Sequence, residues 1–394
     1  MSTQAPARAT SRWDELDLLR GIAGVLMVTN HTGYKWLGAG TLADPLVSAL
    51  VFAGSCAPVV FFTTSGIGYG LQVGTGRAAD LRGLLRKVAI LLVADALLWF
   101  TLEERVGLDF LGFIGLSMLV LDPLRRAKRA LAIAVLGIGA VTVLRYGVGE
   151  AVKGMPGGTG DLLRVVFGVD AIGGVSYPPL PWLAYPLTGF VIGALASRGR
   201  AVLDRRFATV IAAAIVIAVG CSGAAWVLVH GGRALHRWGY VSLAFYAASF
   251  AAIALAVALA IVLGRYGGAL ARRLLELRGL ASLALVPWHY AVIVGTAAIF
   301  DMATIGRWTW LVATIAMIAA AFGLSRRTEA IAAPLAAREG GRLGLVLGLG
   351  VALAFVVKLA LASTLPLVAF AAVVAGQVLL CVAFAMPSAP RKSR

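Results

Sequence analysis

Residues 12–36 read RWDELDLLRGIAGVLMVTNHTGYKW. Four charged side chains, Asp14, Glu15, Asp17 and Arg20, lead into the apolar run GIAGVLMV, which then delivers Thr29, Asn30, His31, Thr32 and Tyr34. If this stretch is a helix crossing a bilayer, lipid cannot solvate those polar groups, so they must face protein or a watery cavity. The rest of the chain supplies eleven further apolar segments to build that cavity.

The 394 residues are 60% hydrophobic and only 13% charged, with a mean hydropathy of +0.91. A soluble globular chain is about 45–50% apolar and about 25% charged. The fold expected is an all-α polytopic transmembrane bundle. Spans of about 20 residues fall at 17–36, 47–73, 84–101, 107–121, 129–144, 180–197, 207–229, 238–263, 279–300, 308–324, 343–360 and 363–386. The count is twelve, with ten as the lower bound, flanked by a tail at 1–16 and a basic tail at 387–394.

Thirty-five Lys and Arg outweigh 18 Asp and Glu, a net charge of +17. Such a charge raises the question of nucleic acid, but the basic residues lie in short loops between apolar segments and no nucleic-acid-binding motif accompanies them. They alternate. Arg77, Arg82, Arg86 and Lys87 follow the second span, Arg125, Arg126, Lys128 and Arg129 the fourth, and Arg198, Arg200, Arg205 and Arg206 the sixth. Arg265, Arg272, Arg273 and Arg278 follow the eighth, Arg326, Arg327, Arg338 and Arg342 the tenth, and Arg391, Lys392 and Arg394 close the chain. The intervening loops hold few basic residues, such as Arg105, Arg233, Arg237 and Arg307. The positive-inside rule then puts both termini in the cytoplasm. The start lacks the apolar core and cleavage site of a signal peptide, so the first span is expected to stay as a helix. The long loop 145–179, with GMPGGTGD and GGVSYPPLP, is too rich in Gly and Pro for a domain, although LLRVVFGV suits a short interfacial segment.

Two histidines stand out. His31 lies roughly 21 Å along its helix from the basic side, and His289, in LASLALVPWHYAVIVG, roughly 15 Å along its own at 1.5 Å per residue. Their levels differ by about 6 Å, so they can face one cavity. A neutral imidazole suits removal of a proton from a hydroxyl or amine; the structural reading is a cap beside Asn30 for His31 and an interhelical hydrogen bond for His289. Pro287, lacking an N–H, leaves a carbonyl free that can orient His289. His230 and His236 fall at or in an outer loop and read as solvated.

Asp17 and Arg20 share a helical face. They read either as an acidic helix start with its counter-ion or, through the fork of Arg20, as a phosphate site. In GSCAPVVFFTTSGIGYG, Thr63, Thr64 and Ser65 with Gly66, Gly68 and Gly70 make a small, polar packing surface. Asp95 is an intramembrane acid with Arg86, Arg20 or a histidine as expected partner. In PPLPWLAYPLTGFVIGAL, Pro181 and Trp182 suit an interfacial start, with Gly189 and Gly193 packing closely. Lys358 is expected to snorkel. Cys56, Cys221 and Cys381 form neither a disulfide framework nor a metal motif, and no His, Cys or acid spacing makes a zinc site.

DLLRGIAGVLMVTNH (17–31) resembles the first-helix signature of the integral membrane acyltransferase superfamily, which includes acyltransferase-3 proteins and heparan-alpha-glucosaminide N-acetyltransferase-like proteins. GSCAPVVFFTTSGIGYG is similar to its second-helix pattern, PPLPWLAYPLTGFVIG to the Pro-Trp helix of the second branch, and LRGLASLALVPWHYAVI to the late helix with a histidine. Two departures are visible. Asn30 stands before His31 where acyltransferase-3 proteins often carry two histidines, and the loop 33–45 lacks the histidine of the lysosomal-type enzymes.

The resemblance implies an acyl-CoA-dependent O- or N-acyltransferase that moves an acyl group, most simply acetyl, to a sugar or lipid-linked glycan. His31 and His289 would be catalytic, Arg20 and Arg86 would bind the CoA co-substrate, and Asn30, Ser65 and Asp95 would orient the acceptor, with no metal. Its setting would be a bacterial inner membrane, with membrane lipids and a second copy of the chain as further partners. Two other classes stay open: a secondary transporter or lipid flippase using a His/Asp relay, disfavoured by the lack of an internal repeat, and a non-catalytic sensor or scaffold.

Overall fold

The computed structural model describes residues 12–75, 80–102, 108–169, 175–197, 199–235, 241–338 and 341–386. Arg77, Arg105, Arg198, His236, Arg237, Arg391, Lys392 and Arg394 lie outside the described residues, as do 1–11 and 387–394 of the tails. Its elements are helices throughout: α1 (Asp14–Trp36), α2 (Pro45–Gly54), α3 (Ala57–Gly70), α4 (Leu81–Leu102), α5 (Phe110–Leu124), α6 (Ala130–Val143), α7 (Ala184–Ala196), α8 (Phe207–His230), α9 (Leu243–Tyr266), α10 (Gly279–Ile299), α11 (Arg307–Arg338), α12 (Gly341–Leu361) and α13 (Pro366–Ala385). Among the described residues, nine helical segments are long and apolar enough to cross a membrane, with α2 and α3 counted as one. Expected spans at 17–36, 84–101 and 107–121 fall on α1, α4 and α5, the last only 15 residues long.

Helix α1 occupies the centre, packed against α2, α3, α9, α10 and α11. It starts at Asp14, three residues before the expected boundary, with Asp14, Glu15 and Asp17 in its first turn, where carboxylates favour the helix dipole. Its glycines let neighbours in: a Cβ on Gly21 would stand 1.6 Å from the Leu275 carbonyl oxygen, and one on Gly33 2.2 Å from Val51. Leu18, Leu19, Ile22, Ala23 and Met27 then join Phe61, Leu285 and Phe322 in one core.

Two expected helices differ in shape. The second span is broken at Ser55–Cys56 into α2 and α3, and the tenth continues as α11 to Arg338, well past the expected end at 324. Chain 145–179 carries a helix at Gly157–Phe167, and α6 runs on through a π turn at Leu144–Val148 to Val152. Trp182 is 1% exposed and meets Phe62 and Tyr177 edge-on. Lys358 does not snorkel. It points inward at α4 and donates from Nζ to the Leu97 carbonyl at 3.2 Å.

The small-residue surface of α3 packs on α7, the tightest pairing in the bundle. A Cβ on Gly66 would stand 1.9 Å from the Pro186 carbonyl oxygen, and one on Gly189 1.8 Å from that of Thr63, whereas Gly68 faces open space. Backbone cannot yield as a side-chain tip can. Gly189→Ala should therefore cost about 1–3 kcal/mol or more through overpacking, and Gly68→Ala should cost nothing and stabilise by up to about 1 kcal/mol through helix propensity. Thermal unfolding of the purified variants in detergent checks both.

Candidate active site

His31 and His289 meet across the interface of α1 and α10, with His31 Nδ1 2.8 Å from His289 Nε2. The second ring nitrogen of His289, Nδ1, lies 3.0 Å from the Leu285 carbonyl oxygen. A carbonyl only accepts, so His289 Nδ1 carries the hydrogen and, in the neutral ring, its Nε2 is a bare acceptor. His31 Nδ1 must then donate. The consequence is a bare lone pair on His31 Nε2, the nitrogen left for a substrate.

The orienting carbonyl is not the one freed by Pro287. That proline interrupts the hydrogen bond to Leu283, four residues earlier, whereas His289 uses Leu285, four residues before itself. Tyr290 covers the pair, its ring 5.1 Å from His31 and 4.1 Å from His289 between centroids.

A cavity of about 50 Å³ opens beside the two rings, lined by Met27, Asn30, Pro58, Asp109, Tyr177 and Tyr290 among others. That volume holds a few waters. Asn30 turns its amide away, donating to the Val51 carbonyl at 2.9 Å and to Ser55 Oγ at 3.0 Å, so it pins the break between α2 and α3 beside the cavity. Burial pushes the Tyr177 phenol well above its ordinary range, with Asp109 and Tyr290 adding to the effect, so Tyr177 stays a hydrogen-bond donor. Asp109, Tyr177 and Tyr290 escaped the sequence reading. Asp109 had a visible signal, an acid at the start of an apolar span, but Tyr177 sits in a loop whose fold only the packing determines.

The other expected site residues lie elsewhere. Ser65 is eight residues beyond the cavity-lining Ala57, roughly 12 Å farther along α3. Among the described residues Asp95 pairs with neither arginine nor histidine: its carboxylate accepts the backbone N–H groups of Asp109 at 2.6 Å and Leu111 at 3.0 Å, capping α5 from a neighbouring helix. Arg86 is nine residues from Asp95 on the same helix, roughly 14 Å away, and donates to the Met386 carbonyl after α13. Arg20 is paired with Asp17, which Arg12 also grips, and Arg12 reaches Glu276. His230 is exposed, as expected, with Nδ1 2.9 Å from the Trp226 carbonyl. Among the described residues, no group of three or more His, Cys, Asp or Glu side chains could hold a metal ion.

Long apolar helices around a small cavity, with two histidines in contact in its wall, define a polytopic membrane protein with a histidine pair between its first helix and α10. The family model of the heparan-alpha-glucosaminide N-acetyltransferase catalytic domain matches residues 12–230, more than half of the chain, and the chain belongs to that family. The match is to the N-acetyltransferase branch of the resemblance; it includes His31 and ends before His289. No curated protein and no solved structure matches the chain.

Two outcomes follow from these contacts. Nitrogen-15 NMR of histidine-labelled protein at neutral pH should show both His31 and His289 protonated at Nδ1 and bare at Nε2. Asp95→Ala should cost about 1–3 kcal/mol, because the buried N–H of Leu111 and the part-buried N–H of Asp109 lose their acceptor, as read by chemical or thermal unfolding.

Proposed function

We propose that this protein is a membrane acetyltransferase that moves an acetyl group from acetyl-CoA to an amine or hydroxyl of a sugar, free or within a glycan. The His31–His289 pair carries this reading, because its hydrogen-bond polarity leaves a bare nitrogen, Nε2, on a histidine that lines the cavity, and family membership supports the acetyl transfer. His31 Nε2 takes the proton of the acceptor N–H or O–H as that atom bonds to the thioester carbonyl carbon. The resulting imidazolium keeps its Nδ1–H on His289 Nε2, and His289 is held in turn by Leu285. Tyr177 donates to the oxyanion of the tetrahedral intermediate. The C–S bond then breaks, and the proton on His31 passes to the departing sulfur.

Positive-inside charge supports a twelve-span topology with both termini in the cytoplasm of a bacterial inner membrane. On this reading Arg20 lies at the cytoplasmic end of α1, eleven residues or roughly 16 Å from His31, and takes the CoA phosphates in place of its pairing with Asp17. Between them Leu19, Ile22, Ala23 and Met27 fill the core. Substrates therefore need the helices around this cavity to part.

Release of CoA from acetyl-CoA by purified protein in lipid, with amino-sugar and glycan acceptors, tests the proposal. His31→Ala should lower acceptor-dependent release by about 10²–10⁴-fold, the usual worth of a general base, while binding of acetyl-CoA persists. His289→Ala should lower the rate less. Release that His31→Ala leaves unchanged, or no acetyl-CoA binding by the native chain, would overturn it.

A further inference from the structure

A second cavity, of about 500 Å³, lies far from the histidines between α1, α3, α7, α8 and α9. It is in the size range of ligand sites. Helix α8 packs on α9 and little else among the long helices, so one flank stands away from the core. Its walls are almost wholly apolar, with Ile192 of α7, Ala213 and Ile217 of α8, and Val257 of α9 among them.

The depth of the cavity is informative. Along α8 it runs from Arg206, just before the helix, to Ile217, eleven residues or roughly 16 Å. That is about half of the ~30 Å hydrocarbon core, the thickness of one leaflet. Its mouth is basic. Arg206 is exposed and lines that end, its chain neighbours Arg205 and Asp204 are exposed too, and Arg265 reaches the Asp204 carbonyl oxygen. Glu15, the acid in the wall, is paired with Arg200. The net local charge favours an anion at the level where lipid phosphates lie.

From this depth and charge we infer that the cavity is a binding site for one anionic phospholipid, with an acyl chain between α7, α8 and α9 and its phosphate on Arg206. Trp13 and Leu19 of α1 line the same cavity, so the chain touches the helix that carries His31. The site is independent of the acetyl-transfer reading.

Native mass spectrometry of the full chain, titrated with phosphatidylglycerol or phosphatidylcholine, tests it. One tightly held phosphatidylglycerol is expected, weakened about fivefold by Arg206→Gln, the loss of one charge at the membrane surface. Ala213→Trp should fill the cavity and remove the adduct. Should that variant misfold, phosphatidylglycerol with brominated chains should quench fluorescence in native protein that is missing in Trp13→Phe. Equal retention of the two lipids, or an unchanged phosphatidylglycerol adduct in Arg206→Gln, would show an ordinary annular gap and overturn the proposal.

Discussion

Lipid offers no hydrogen bonds, and α1 can stand at the centre of the bundle because most of its buried polar side chains find a partner. Asp17 is held between Arg12 and Arg20; Asn30 reaches the break between α2 and α3; Thr32 meets Thr314 of α11; and the Trp36 indole donates to the Ile293 carbonyl. His31 finds its partner in His289. These contacts fix α1 in rotation and in depth, since a slip of one residue would turn each polar group toward a different neighbour.

The same constraint gives the histidine pair its direction. A helix carbonyl with a second lone pair, that of Leu285, sets the tautomer of His289; this sets the donor on His31, and a basic nitrogen remains on the far side. Leu285 and His289 in series thus fix the tautomer of His31 with no charged side chain in the relay. The cavity wall is fixed in a related way. Asp95 on α4 holds the first turn of α5, and with it Asp109 and Phe110, against the two rings. Groups held on packed helices keep their geometry better than groups on loops.

The sequence alone determined that the chain is a bundle of membrane helices, because runs of about 20 apolar residues have no other stable arrangement in this composition. It also brought His31 and His289 to nearly one level, since rise per residue is fixed whatever the packing. Rotation is not fixed in that way. Only the tertiary structure decided that the two rings touch, that Asn30 reaches Val51 and Ser55 and Asp95 the start of α5, that Lys358 turns inward, and that Tyr177 and Asp109 arrive at the cavity from loops. Period and length give a helix its extent and depth; which neighbour each polar group faces depends on how several helices pack at once. A single strand of sequence does not contain that information locally.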